Sequence, residues 1–165
     1  MKKGFSHDQP QRLDRQLAEE HKDPYRPKTK LPEPTVCPQC GLVFHDGHWQ
    51  QLSRPAQAHE QVCPACHRIN DRFPAGYVTL QGGFVGAHHD ELVKLARTTE
   101  DKEKSQHPLQ RIMDIEKQGD DKISITTTDI HVARRIGEAI ERAYEGDLSV
   151  TYGPEDYVVR VTWTR

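Results

Sequence analysis

Four cysteines stand in two pairs, Cys37-Pro-Gln-Cys40 and Cys63-Pro-Ala-Cys66, and the 165-residue chain has no others. Two CxxC pairs with 22 residues between them match a four-thiolate zinc site with a slightly long middle loop. Zn²⁺ favours four tetrahedral ligands, and two intervening residues let one tight turn aim both sulfurs of a pair at one ion. Pro38 and Pro64 preset φ, and Gly41 after the first pair can take the positive φ of a metal knuckle. The second pair has His67 in that place, so its turn is less defined. His45, His48, His59 and His67 are alternative ligands nearby, but four sulfurs already complete the tetrahedron. The expected cofactor is Zn²⁺ in a closed structural site. Thioredoxin-like redox chemistry would call for one CxxC beside a βαβ pattern, and two pairs at ribbon spacing argue against it.

A module of this size cannot bury enough surface to fold alone, and bound zinc supplies the missing free energy. Residues 37–73 are therefore read as a zinc ribbon. Short strands are expected at 42–44 and 47–50 around the turn His45-Asp46-Gly47, with Phe44 and Trp49 covering the metal. Residues 1–36 hold five prolines and few apolar side chains, and read as a flexible, basic, disordered tail. The junction at 71–76 is too short for a free linker, which predicts that the ribbon packs near the domain that follows.

Residues 74–165 read as an α+β domain. Val78 and Leu80 alternate on a strand that ends near Gly82-Gly83, where a bulge or an unusual strand end is expected. A helix from His88 to about Lys104 carries Leu92, Leu95, Ala96 and Thr99 on one stripe. The stretch after Pro108 is ambiguous between a helical turn and a strand, and the strand is preferred at about 112–117, pairing with 123–127 across the turn 118–121. Asp129 then caps a strongly amphipathic helix whose apolar stripe runs through Ile130, Ala133, Ile136, Ile140 and Tyr144. Gly137 inside that helix predicts close packing on a sheet. A terminal hairpin pairs 148–152 with 157–163 across Gly153-Pro154-Glu155-Asp156. The first six elements follow the β-α-β-β-α-β order called ferredoxin-like, with one extra C-terminal strand. Two helices would cover one sheet face and leave a polar face open.

Charge bounds the partners. The chain carries a formal net charge of −2, spread as +2 over 1–36, zero over 37–73 and −4 over 74–165. Whole-domain attraction to phosphate is thus denied to the C-terminal part, and nucleic acid would have to meet the tail, the ribbon or a local patch. The central strand Lys122-Ile123-Ser124-Ile125-Thr126 lacks the aromatic base-stacking signature of RNA-recognition domains. Candidate partner contacts are His45, His48, Trp49 and Arg68 in the ribbon and His131, Arg134 and Arg135 at the start of the second helix. No P-loop, nucleophile elbow or HExxH is present, and no acid–base constellation points to an enzyme. No apolar run could span a membrane and the first eight residues lack a signal-peptide core, so a cytoplasmic protein with no membrane partner is expected.

The CPxC ribbon, the stretch 74–81, Ile112-Met113-Asp114-Ile115 and 126–136 (TTTDIHVARRI) together resemble a small bacterial family of uncharacterised zinc-ribbon proteins. That family is similar to the zinc-binding and following α/β part of the archaeal and eukaryotic nonsense-mediated-decay protein three family, the export adaptor of the large ribosomal subunit. The resemblance covers about 37–165 and implies large-subunit binding. Only Cys37, Cys40, Cys63 and Cys66 carry over as functional residues. The chain departs in having one ribbon where the larger family has more cysteine pairs, and in showing no export-signal tail. The expectation is a non-enzymatic, zinc-stabilised adaptor for the ribosome, rRNA or other structured RNA. A protein-interaction module without nucleic acid, and a redox or zinc sensor, are the alternatives.

Overall fold

A computed structural model describes residues 23–153 and 157–165. Its first part is a small four-stranded sheet of order β3-β2-β1-β4, built from β1 (Thr35–Val36), β2 (Val43–His45), β3 (His48–Gln50) and β4 (His59–Glu60). The two residues joining β2 to β3, Asp46 and Gly47, have φ of 51° and 82°. Two successive positive φ values make the tight hairpin turn whose twist matches its strands.

β1 sits inside this sheet, between β2 and β4. That corrects the expectation of a flexible tail reaching residue 36. Leu31, Thr35 and Val36 are buried, and Asp23 is already held by Arg68. Three buried side chains and two flanking strands offset the ordering cost of a proline-rich stretch. Residues 1–22 of the expected tail lie outside the described residues.

Helix α1 (Pro64–Asp71) ends on Arg72 in the left-handed conformation and leads into β5 (Gly76–Gln81). The second part continues with α2 (Gly83–Ala87), α3 (His89–Gln106), β6 (Ile112–Lys117), β7 (Lys122–Thr127), α4 (Ile130–Tyr144), β8 (Asp147–Tyr152) and β9 (Val159–Thr164). The Gly82-Gly83 pair thus opens a short helix, where a bulge or unusual strand end was expected. Gly82 has φ 117°, and a Cβ there would lie 2.1 Å from the carbonyl oxygen of Arg165, so only glycine fits between the sheet and the C-terminus.

The five-stranded sheet has the order β6-β7-β5-β9-β8. The extra C-terminal strand, whose place the sequence does not give, lies inside the sheet. β9 lies parallel to β5 and separates it from β8, the sixth element. Burial explains the choice: Val159, Val161 and Trp163 of β9 are fully buried, whereas the inward residues of β8, Leu148, Val150 and Tyr152, are only half-buried. The more apolar strand takes the inner place and the more polar one the edge. α3 and α4 cover one face over a core that includes Val78, Leu80, Leu92, Ile125, Ile136 and Trp163. Gly137 lets α4 approach closely, since a Cβ there would stand 2.5 Å from Val161 Cγ1. The indole of Trp163 donates to the Glu145 carbonyl at 2.6 Å and closes the end of α4.

Candidate metal centre

The first cysteine pair sits in a knuckle closed by two backbone bonds, Gly41 N–H to the Cys37 carbonyl and Cys37 N–H to the Leu42 carbonyl, both 2.9 Å. Gly41 takes φ 79°, the conformation expected at that position. The second pair is built differently. Cys63 is the N-cap of α1, Pro64 occupies the first turn, and the Cys63 sulfur accepts from the Cys66 amide at 3.4 Å. His67 continues this helix, so no second glycine-type turn is needed. The helix start thus turns the Cys66 amide, free of any intrahelical partner, onto the Cys63 sulfur.

The four ligand sulfurs all lie within 4.8 Å of one another. Cys40 and Cys63 are 3.7 Å apart, and none of the four is in a disulfide. A tetrahedron with Zn–S bonds of about 2.3 Å has an edge of about 3.8 Å. The cluster therefore fits a metal ion of that size. Cys37, Cys63 and Cys66 are buried and Cys40 is half-buried. Leu31, Leu42, Trp49 and Ala65 pack around them, with Phe44 and Leu109 at the edge. Phe44 and Trp49 meet edge to face at 5.5 Å, completing the apolar cover expected of them.

Electrostatics distinguish the thiols. For Cys37, burial opposes ionisation but is outweighed by hydrogen bonds from the amides of Cys63, Cys40 and Gln39 and from the Cys40 thiol, bringing it down to about 7. Burial pushes Cys63 up, and repulsion from the other three sulfurs adds to it. Burial likewise raises Cys66, against a hydrogen bond from Arg111. Four crowded sulfurs resist carrying four negative charges without a cation among them.

Arg111 is the residue that the sequence did not mark. Its guanidinium donates to Cys66 Sγ and Cys40 Sγ, each at 3.4 Å, and approaches Cys63 Sγ at 3.9 Å. It comes from the loop between α3 and β6, within the stretch left ambiguous between helix and strand. That loop turns at Gln110 N–H to the His107 carbonyl, 2.9 Å, before β6 begins. The only sequence signal was a basic residue beside Pro108 in a segment with no settled periodicity.

The seven candidate partner contacts divide. His45 and His48 are exposed at the tip of the β2–β3 hairpin. Trp49 is buried among the cysteines. Arg68 is 1 % exposed: it pairs with Asp23 at 2.7 Å, donates to the Phe73 carbonyl and lies 4.3 Å from the Tyr25 ring centre. Arg134 is 3 % exposed and pairs with Glu138 at 2.7 Å. These three side chains therefore face inward rather than toward a partner, because each finds its apolar or ionic neighbours inside the fold. His131 and Arg135 are half-buried at the start of α4, and Arg135 is 4.0 Å from Glu103. The hairpin tip instead faces residues of the segment before β1: Arg26, Lys28, Lys30 and His48 border one groove.

The opposite sheet face is polar and half-buried to exposed, as expected. Ser149, Thr162, Thr79, Ser124 and Glu116 form one row across all five strands. Arg160 lies 4.6 Å from the Tyr77 ring centre on the same face. Among the described residues, no helix is long and apolar enough to cross a membrane. No protein-family profile, curated protein or solved structure matches this chain significantly.

Proposed function

We propose that this chain is a non-enzymatic, zinc-stabilised adaptor that binds structured RNA, with the large ribosomal subunit as its first candidate partner. The observation that carries the metal part is the closed, mostly buried cluster of four sulfurs, which fits Zn²⁺ and leaves it no open coordination position. Such an ion holds the knuckles together, so binding falls to the surface around it. Arg26, Lys28 and Lys30 are exposed beside the histidine hairpin tip, and this local basic strip supports contact with phosphate although the rest of the chain is acidic. The resemblance read in the sequence implies the same assignment.

The test is sedimentation of a native lysate at low salt. Co-migration with the large subunit, lost on raising the salt, is the expected result. A protein that stays at the top of the gradient in growth and in stress rejects the ribosome as partner. The polar open sheet face favours one alternative, a protein-interaction module. A pull-down that survives nuclease treatment and contains no ribosomal protein would select it.

A further inference from the structure

We propose that Arg111 is an outer-sphere clasp on the metal centre, making the docking of the ribbon onto the α+β domain depend on metal occupancy. This rests on the four-cysteine site being a metal site.

The arm that carries the guanidinium is fixed at its base. The Arg111 amide donates to Thr128 Oγ1 at 2.9 Å, and its carbonyl accepts from the Thr128 amide at 2.9 Å. The next amide, Ile112, donates to the carboxylate of Glu100 on α3, which is itself buried. The Arg111 Nε donates back to the Pro108 carbonyl at 2.9 Å, orienting the plane of the group. Two elements of the α+β domain, α3 and the β7–α4 turn, therefore hold Arg111 in place. Its two terminal nitrogens reach sulfurs from both knuckles, Cys40 from the first and Cys66 from the second. Leu109, two residues earlier, packs against the same cysteine cluster.

The chemistry makes this contact conditional. Four thiolates around one divalent cation carry a net charge of −2, and a guanidinium is a planar, permanently charged donor suited to bridging two acceptors. Charge-assisted bonds to metal-bound thiolates are strong, and two of them from one rigid group tie both knuckles to one point. Without the ion the two knuckles lose the ligation that sets the spacing Arg111 bridges, and the guanidinium loses its paired acceptors on Cys40 and Cys66. Ligation within the ribbon and attachment between the two parts are thereby linked in one set of N–H···S contacts. Residues that hold metal ligands from outside commonly change metal affinity by about 10–100-fold when removed.

The experiment uses the full chain purified with zinc, with Arg111→Met and Arg111→Lys beside it. Zinc content, zinc affinity by competition with a chromogenic chelator, and hydrogen exchange of peptides covering 107–112 and 128–131 are measured. Zinc-loaded Arg111→Met is expected to hold one ion per chain about 10–100-fold more weakly. Its 107–112 peptides should exchange as fast as those of the chelated wild type. Arg111→Lys should resemble Arg111→Met, because an ammonium lacks the rigid fork and the Nε–H that ties the group to the Pro108 carbonyl. Wild-type affinity and protection in Arg111→Met overturn the clasp and leave the metal site standing. A wild-type chain without stoichiometric metal overturns both. If Arg111→Met does not fold, the wild type with and without chelator decides: unchanged protection at 107–112 overturns the clasp, and loss confined to the ribbon and that loop supports it.

Discussion

Arg111 Nη2 lies 3.4 Å from Cys40 Sγ, although 71 residues separate the two in the chain. The contact joins the knuckle of the ribbon to the loop that opens the second strand of the α+β domain. Its consequences for each part can be measured separately, because the α+β domain has its own large core and the ribbon does not.

Metal removal should divide the molecule. Chelation, or Cys37→Ser with Cys66→Ser, is expected to abolish stoichiometric zinc and unfold the ribbon, while the helical far-UV signal of α3 and α4 persists. Cobalt substitution should give the charge-transfer and tetrahedral ligand-field bands of an all-thiolate site. A spectrum of mixed sulfur and nitrogen ligation would show that one of the four cysteines is not a ligand.

Gly137→Ala should destabilise the α+β domain despite improving helix propensity. Alanine gains about 1 kcal/mol in a helix interior, but its Cβ would stand 2.5 Å from Val161 Cγ1 and 3.0 Å from Leu148 Cδ1. Overpacking of that kind costs about 1–3 kcal/mol, so a net loss is expected in a denaturant titration. Unchanged or increased stability would mean that α4 does not pack against β9 as closely as described.

Asp129 separates capping from charge. Its carboxylate accepts from the amides of His131 at 2.7 Å and Val132 at 3.4 Å. Asp129→Ala should cost about 1 kcal/mol, the usual loss for an N-cap. Burial raises the carboxyl above its ordinary value, outweighing the opposing influence of His131 and of the two amides. A raised folded pKa gives a contribution that is full below the unfolded value near 3.8 and is lost as pH rises through the folded one. Asp129→Asn should therefore improve relative to wild type as pH rises above the unfolded value near 3.8. A stability difference independent of pH would contradict the shift.

Reversing the basic strip tests the RNA assignment. Changing Arg26, Lys28 and Lys30 to Glu should weaken binding to structured RNA at low salt and flatten its salt dependence. Each lost phosphate contact lowers the slope of log K against log salt by about 0.7–0.9. An unchanged slope would place any RNA contact elsewhere on the surface.

Local chemistry was enough to mark the clustered cysteines, the hairpin at Asp46-Gly47, the cap at Asp129 and the amphipathic helix after it. Each depends on residues within one turn or one pair, such as two residues between cysteines or a carboxylate beside a free helix amide. The close approach at Gly137 was legible for the same reason, as a helix-breaking choice that only packing could repay.

Long-range competition decided the rest. Whether β8 or β9 lies beside β5 depends on which buries more apolar surface there, and both alternate in sequence. Whether residues 31–36 are tail or sheet depends on edges supplied by β2 and β4. Arg68 and Arg134 look like surface charges until Asp23 and Glu138 meet them inside the fold. The spacing of the four cysteines by itself determined which sulfurs gather into one cluster fit for a metal. Only the tertiary structure brought Arg111 to them, because a charge–thiolate contact across 71 residues leaves no periodicity to read.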